Sequence, residues 1–567
     1  MSPSLQTYRI RKIKCDERRP FCDKCTKTQR KCDGYGIWTD KTIASISKLS
    51  APITPQCRCA SPREAISFTL PLLDIAYEER DHLEWFRLRT STKLPGLFIS
   101  CFWNSLLIQA CLSEDAVLHA VLAISSLHKA HMLAEAGDLN ASLQIRASEQ
   151  RTLRHYIKAI RHLRPHLQAN TKCSRRVALI VCIVLTSTDL LRGHFSTAKT
   201  HVNCGEKLLL EIDPTKRSQI YKNHNLDLTD TMIAAAFLRL RLQGKLFTYW
   251  KCDYDPPLQG GLEPISFKIV TFSSYNEAWQ NLAKSMNEAF VLTRQMHNAR
   301  NTSKISTYEL SKRREDIKEH LENWLCVHQS TAYTSEDRYC CSDRVVHGTL
   351  KAYHTMISIM VNVCLDAEDE EAYDSQTELF ITLLQQLIDL YQLTWGLGVP
   401  VYGHKPVHQY LMSRSIVDMG NIPLLYHVIT KCRVYRIRIQ ALRLLEMLNN
   451  REGFWDSNIM CRVARRVVEI EERDLHRHQN IREDFQVLGR VQLEEADLTY
   501  LPRLHRLNDV EVVLSGSPTD TIFLYCKSSS AEDKPRRICV DQYDVKSERW
   551  FRTLSDVCKL SQFSVEL

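Results

Sequence analysis

The 567-residue sequence lacks the marks of an enzyme. It contains no His-Glu-x-x-His pair, no Gly-x-Ser-x-Gly turn and no glycine-rich phosphate loop. Zinc-hydrolase, serine-hydrolase and nucleotide-binding chemistry each lose their usual starting point. A long apolar run is also missing. The longest, Val177 to Leu185, falls far short of the roughly 20 residues that cross a bilayer as a helix. The opening residues are basic and polar without an apolar core, unlike a secretory signal. No heptad is sustained over residues 36–73 and no unit of fixed length recurs three times, so neither a coiled coil nor a solenoid is expected. These absences lead to the expectation of a soluble nuclear or cytoplasmic protein, not an enzyme, with no membrane partner.

What is present is concentrated at one end. Tyr8 to Tyr35 holds Cys15, Cys22, Cys25 and Cys32 in the spacing C-x6-C-x2-C-x6-C, directly after the basic run Arg9, Arg11, Lys12 and Lys14. Thiolates this close in sequence can converge on one metal ion, and zinc suits them because it takes four sulfurs in a tetrahedron. A segment this small has too little apolar surface to fold alone, so a metal would supply the missing free energy. Residues 1–35 carry ten Lys or Arg against four acidic residues, much of the whole chain's +9. That excess attracts a polyanion such as DNA. Apart from this head, a composition of 44% apolar and 25% charged residues is ordinary for a globular protein. The 21 cysteines are otherwise scattered in apolar settings such as Cys111, Cys182 and Cys364, as expected of reduced, buried thiols.

The head resembles the fungal binuclear zinc-cluster family of transcription factors. The matching residues are RKIKCDE around Cys15, Pro20 two residues before Cys22, Cys25, and CDGY at Cys32. The family carries six cysteines around two zinc ions; its first C-x2-C pair falls where this chain has Leu5 and Tyr8. Three readings follow: a truncated or mis-joined start, a half-cluster holding one zinc on four cysteines, and a decayed finger that binds neither metal nor DNA. The resemblance implies structural zinc, with a short helix beginning near Arg9 that enters the major groove of double-stranded DNA. By match to the motif, Arg11 and Lys12 contact guanine edges, while Arg9, Lys14, Arg18 and Arg19 suit phosphate. It further implies a nuclear regulator of RNA polymerase II genes that reads short GC-rich, CGG-like sites. Transcription co-regulators are expected as further partners, and homodimerisation is left open. A helical regulatory protein acting through partner proteins, without DNA binding, is the alternative.

Residues 36–73, rich in Ser and Pro and including Cys57 and Cys59, read as a linker. From residue 74 to about 475 the period is helical. Ser113 is expected to cap a helix with Glu114 and Asp115 in its first turn and Val117, Ala120, Val121, Ile124 and Leu127 on one face. Val177 to Leu191 is apolar all round, the mark of a central helix. Gly193 precedes a helix with Ala198, Val202, Leu208 and Leu209, and 232–242, 379–390 and 439–448 are also expected to be helical. Pro256-Pro257 and Gly260-Gly261 mark a long loop. His119, His128 and His131 suit core or surface roles better than a metal, and acidic 368–371 reads as an exposed turn. Phrases such as AVLHAVLAISSLHKA at 116–130, DMGNIPLLYHVITKCRVYRIRIQALRLL at 418–445 and EGFWDS at 452–457 resemble, in order and spacing, the regulatory domain that accompanies the cluster. The expected fold is therefore mainly α, with the head at 8–35, the linker, a large all-helical regulatory domain at 74–475, and an extension at 476–567. In that extension Val510, Val512 and Leu514 alternate with polar neighbours, Ile522 to Cys526 is a short apolar run, Gly516 and Pro518 lie between them, and Ile538 and Val540 suggest a third strand. A short hairpin there and a poorly ordered tail are the two readings.

Overall fold

The computed structural model describes residues 75–98, 100–136, 141–169, 171–212, 228–247, 271–302, 307–330, 341–366, 369–395, 411–472, 486–491, 500–528 and 538–554. The head, the linker and the loop expected around Pro256 to Gly261 lie outside these residues. As expected, the described chain is mainly helical, and it separates into two compact units.

The first unit, within residues up to 95, 99–192 and 197–238, is built on α1 (Tyr77–Trp85), α2 (Leu107–Cys111), α3 (Asp115–Glu135), α4 (Ala141–Ala169), α5 (Lys172–Arg192), α6 (Phe195–Ile212) and the start of α7 (Leu228–Leu246). Helix α3 packs along α4 and against α1, α2 and α5. Its expected face is buried, Val117 to Leu127, but so are Leu118, Leu122 and Ala123 on other sides. By length and composition alone α3 could cross a membrane, yet its most apolar window is 72% buried inside the protein, which marks a core helix. The N-cap position falls on Glu114, one residue after the expected Ser113, and no Glu114 side-chain bond caps the helix; the Ser113 hydroxyl donates to Ala110 O at 3.3 Å. The serine is drawn back to the carbonyls left over at the end of α2, an equally local partner.

Helix α5 is the buried helix that its composition predicts, with every residue from Arg176 to Leu191 shielded. Its polar run Thr186, Ser187, Thr188 is tolerated because each hydroxyl donates one turn back, to Cys182 O, Ile183 O and Val184 O at 2.7–2.8 Å. Helix α6 crosses closely at Gly205, where a Cβ would lie 2.4 Å from the ring of buried Phe237 and 3.2 Å from Cys182 Sγ. Cys111 and Cys182 are reduced and buried here, and Cys364 in the second unit, as expected.

The second unit holds α8 (Tyr275–Thr302), α9 (Thr307–Ser330), α10 (Cys341–Val363), a 3-10 turn at Glu370–Gln376, α11 (Thr377–Trp395), α12 (Ile422–Lys431), α13 (Tyr435–Glu446) and α14 (Ser457–Glu472). Helices α8, α9 and α10 pack on one another, α10 on α11, and α12 on α13 and α14. Trp279, Trp324, Tyr353 and Trp455 are fully buried anchors. A two-stranded ribbon, β1 (Arg451–Glu452) and β2 (Trp455–Asp456), turns at Gly453. Its φ of +59° and a Cβ position 1.8 Å from Gln243 Oε1 leave room only for glycine. Buried Glu452 reaches from this ribbon to the start of α12, where it accepts from Gly420 N (3.0 Å), Asn421 N (3.1 Å) and Ile422 N (2.8 Å). A carboxylate thus satisfies orphan N–H groups and faces the positive end of the helix dipole. This contact brings the phrases DMGNIPLLYH and EGFWDS together in space.

The C-terminal extension exceeds the hairpin reading. Strands β3 (Leu507–Gly516), β4 (Thr519–Ser528), β5 (Ile538–Asp544) and β6 (Arg549–Leu554) form one antiparallel sheet in sequence order. Val512 pairs with Leu524, Leu514 with Ile522 and Tyr525 with Val540. Val512, Leu514, Ile522, Leu524 and Cys526 are buried and Val510 is half-buried, so the alternation read from the sequence marks the buried face from Val512 on.

Candidate functional site

Every residue proposed from sequence for metal and DNA lies outside the described residues: Cys15, Cys22, Cys25 and Cys32, and Arg9, Arg11, Lys12, Lys14, Arg18 and Arg19. The donor chemistry alone can be tested. Four thiolates complete one tetrahedral, closed zinc site with no position for substrate water. They fall two ligands short of the six-cysteine cluster, at Leu5 and Tyr8.

Within the body, three polar clusters stand out. In the first unit, α1, α3 and α4 bring Glu79, His119 and His155 together, with one ligand-type atom of each within 4.8 Å of the others. The Nδ1 atoms of His119 and His155 are 3.3 Å apart. His155 is 5% exposed, and Lys158 Nζ stands 3.5 Å from Glu79 Oε1. Burial, helped by His155, Lys158 and His162, pushes His119 down to about 4, and burial also lowers His155. Sequence reading placed His119 beside His128 and His131 on one helix. The structure sends His128 elsewhere, into a buried site 2.9 Å from Thr90 Oγ1 and 3.3 Å from Trp85 Nε1, in the core role expected of it. Glu79 and His155 were missed because they lie 40 and 36 residues from His119, with no spacing to connect them.

A second cluster joins Tyr156, Asp189, His201 and Arg192. Tyr156 OH lies 2.9 Å from Asp189 Oδ2 and 2.6 Å from His201 Nε2, and burial raises Asp189 to about 6. With Asp189 buried and Tyr156 and His201 half-buried, the group ties α4, α5 and α6 together.

The third cluster, in the second unit, is a balanced set of four cations and four anions. Lys431 Nζ and Arg433 Nη2 hold Glu370 at 2.7 and 2.8 Å. Fully buried Arg438 binds Glu472 at 2.7 Å and also Glu471, and donates from Nε to Ile429 O. Arg506 grips Asp374 with both Nη atoms, at 3.0 and 2.7 Å. Although burial works against it, the Arg438 and Arg433 guanidiniums hold Glu471 below the usual carboxylate range. Glu370 is only 3% exposed, so the exposed acidic turn expected at 368–371 is corrected at this residue. Its partners lie about 60 residues away, beyond any local reading. A groove of about 530 Å³ runs along α13 and α14, lined by residues that include Tyr435, Ile439, Leu442, Arg443, Arg465 and Glu469. It presents no nucleophile–base pair.

Comparison with known proteins gives these clusters a context. The family description "Fungal specific transcription factor domain" matches residues 87–395, more than half of the chain. "Fungal Zn(2)-Cys(6) binuclear cluster domain" matches residues 9–42 and implies zinc ions. The aspercryptin biosynthesis cluster-specific transcription regulator atnN of Emericella nidulans is 22% identical over 559 residues, covering 82% of this chain and 86% of that protein. The transcription regulator lscL of Purpureocillium lilacinum is 28% identical over 215 residues, 36% of this chain and 48% of that protein. The transcriptional regulatory protein moc3 of Schizosaccharomyces pombe is 66% identical over 29 residues, 5% of this chain and 6% of its own. No solved structure matches. With a cysteine-rich basic head that matches one family description and a helical body that matches the other, the chain belongs to the fungal zinc-cluster transcription factors, and is a transcription regulator rather than an enzyme.

Proposed function

We propose that this regulator acts in the nucleus by binding double-stranded DNA through its zinc-dependent head, at short GC-rich, CGG-like sites of RNA polymerase II genes. The observation that carries this reading is the basic run Arg9 to Lys14 abutting Cys15 inside the zinc-cluster match. Cys15, Cys22, Cys25 and Cys32 hold zinc, which fixes the basic segment for the groove. Arg11 and Lys12 donate to guanine N7 and O6; Arg9, Lys14, Arg18 and Arg19 neutralise phosphates. The head at 8–35, the linker at 36–73, the helical domain at 74–475 and the extension at 476–567 divide the labour, the helical body governing when the head acts and meeting co-regulators. The role of the aspercryptin-cluster regulator makes clustered biosynthetic genes the first targets to examine.

The test is zinc analysis of the purified chain combined with binding to duplexes with and without CGG triplets across a salt series. Bound zinc is expected, with preference for CGG duplexes and log affinity falling with log salt at a slope of about −3 to −4 for four phosphate contacts. A specific observation favours a second reading: Leu5 and Tyr8 stand where the first ligand pair belongs. A metal-free head and no duplex preference would establish it, leaving a helical regulator that works through protein partners.

A further inference from the structure

We propose that Glu79, His119 and His155 form a site for a single divalent transition metal, zinc by ligand type, that pins α1, α3 and α4 of the helical body together. It is separate from the head and does not rest on the reading of the head. Each of the three helices supplies one ligand, so the ion would add a three-way cross-link to the pairwise polar ties already present, such as Arg151–Glu78 between α4 and α1 and Ser125 Oγ to His82 O between α3 and α1.

The distances suit the ion. Two nitrogens bound to tetrahedral zinc at about 2.0–2.1 Å must stand roughly 3.3–3.4 Å apart. His119 Nδ1 and His155 Nδ1 are 3.3 Å apart. The Glu79 carboxylate lies within 4.8 Å of both, within reach of a side-chain rotation. Two histidines and a glutamate match the donor set of three-ligand zinc sites, with water in the fourth position. The neighbourhood is also short of partners: His82, one turn along α1 from Glu79, has a buried Nδ1 without a hydrogen bond.

The rival account of the 3.3 Å contact is an N–H···N bond between two neutral rings. It is long for such a bond, and it gives the carboxylate beside the rings no part in holding them. Lys158 holds Glu79 only at 3.5 Å. It is the competitor that the ion displaces, and its charge sets the affinity below that of a site free of cations.

The experiment uses the full chain carrying Cys15→Ser, Cys22→Ser, Cys25→Ser and Cys32→Ser, so that the head cannot contribute thiolates. Zinc alone, then cobalt alone, is titrated by calorimetry, visible absorption and thermal unfolding. One zinc per chain is expected, with a raised unfolding temperature. Cobalt should give visible d–d bands without thiolate charge transfer. Glu79→Gln and His119→Gln should each weaken zinc at least tenfold, while Lys158→Ala binds as tightly as its parent or more so. Should His119→Gln fail to fold, Glu79→Gln decides, since that side chain is not part of the apolar core. No zinc binding by the parent, binding indifferent to Glu79→Gln, or thiolate bands with cobalt would overturn the proposal.

Discussion

Arg11 and Lys14 are both cations in one short run, yet they carry different expectations. If Arg11 reads guanine, Arg11→Ala costs about 1–3 kcal/mol on the preferred duplex and little on others, relaxing specificity. Lys14→Ala should weaken all duplexes alike and reduce the salt slope by about 1. Fluorescence anisotropy on matched and scrambled duplexes over a salt series separates them; an equal loss on every duplex from Arg11→Ala would remove its base contact. In the body, Glu452 is the residue with most at stake. Glu452→Ala leaves three N–H donors and Asn450 Nδ2 without their acceptor. Charge-assisted bonds of this kind make the expected loss about 3 kcal/mol, with a smaller loss for Glu452→Gln. Urea unfolding of the two variants beside the parent is the measurement. Arg438→Met removes the guanidinium that buried Glu471 and Glu472 share, leaving Glu471 with Arg433 and Leu507 N, so a loss of about 3 kcal/mol, the low end for a broken buried pair, is expected; the same urea series reads it.

Helices differ in how plainly the sequence announces them. Helix α5 was legible because its apolar residues leave no polar face, which only a central helix can sustain. The crossing of α6 was not legible, since a glycine inside a helical period carries no sign of what approaches it. Gly205→Ala on an exposed helix would add up to about 1 kcal/mol. Against the buried ring of Phe237 the sign should reverse, to a loss of about 1–3 kcal/mol from overpacking. Thermal unfolding shows which sign holds, and a gain in stability would mean that Phe237 yields freely. The sheet was half legible. Alternation marks β3 and β4, but β6 reads Arg-Trp-Phe-Arg and occupies the last position in the sheet, where one face need not be apolar. The charged set around Glu370 and the cluster around His119 were invisible for one reason: electrostatic partners are chosen in space, and no period in the chain records that choice. The head is the reverse case, because zinc ligands must be close in sequence when so short a segment folds around metal.

On the scale of the whole molecule, the histidines set a pH limit. Burial pushes His128, His328 and His427 down to about 3 and His347 to about 4, with Lys93, Lys351 and Lys431 among the neighbouring charges that add to it. Their folded values lie below the unfolded 6.5, so between these limits the unfolded chain binds protons that the folded chain refuses. Stability is therefore intact above 6.5 and falls as pH drops below it, by about 1.4 kcal/mol per unit for each fully shielded ring. Urea midpoints at pH 7.5, 6.5 and 5.5 should decline over the last step, the several rings outweighing the opposite contribution of Asp189 and Glu472, which burial raises to about 6 and about 7; a flat profile would mean that these rings are not shielded. The reach of Glu452 into the start of α12 has a practical corollary for anyone shortening the gene. A fragment ending anywhere between 431 and 451 would retain the helix and discard the anion beneath it. A splice product or truncated allele of that kind should be recognised by the cell's proteases and never accumulate, however intact its DNA-reading end.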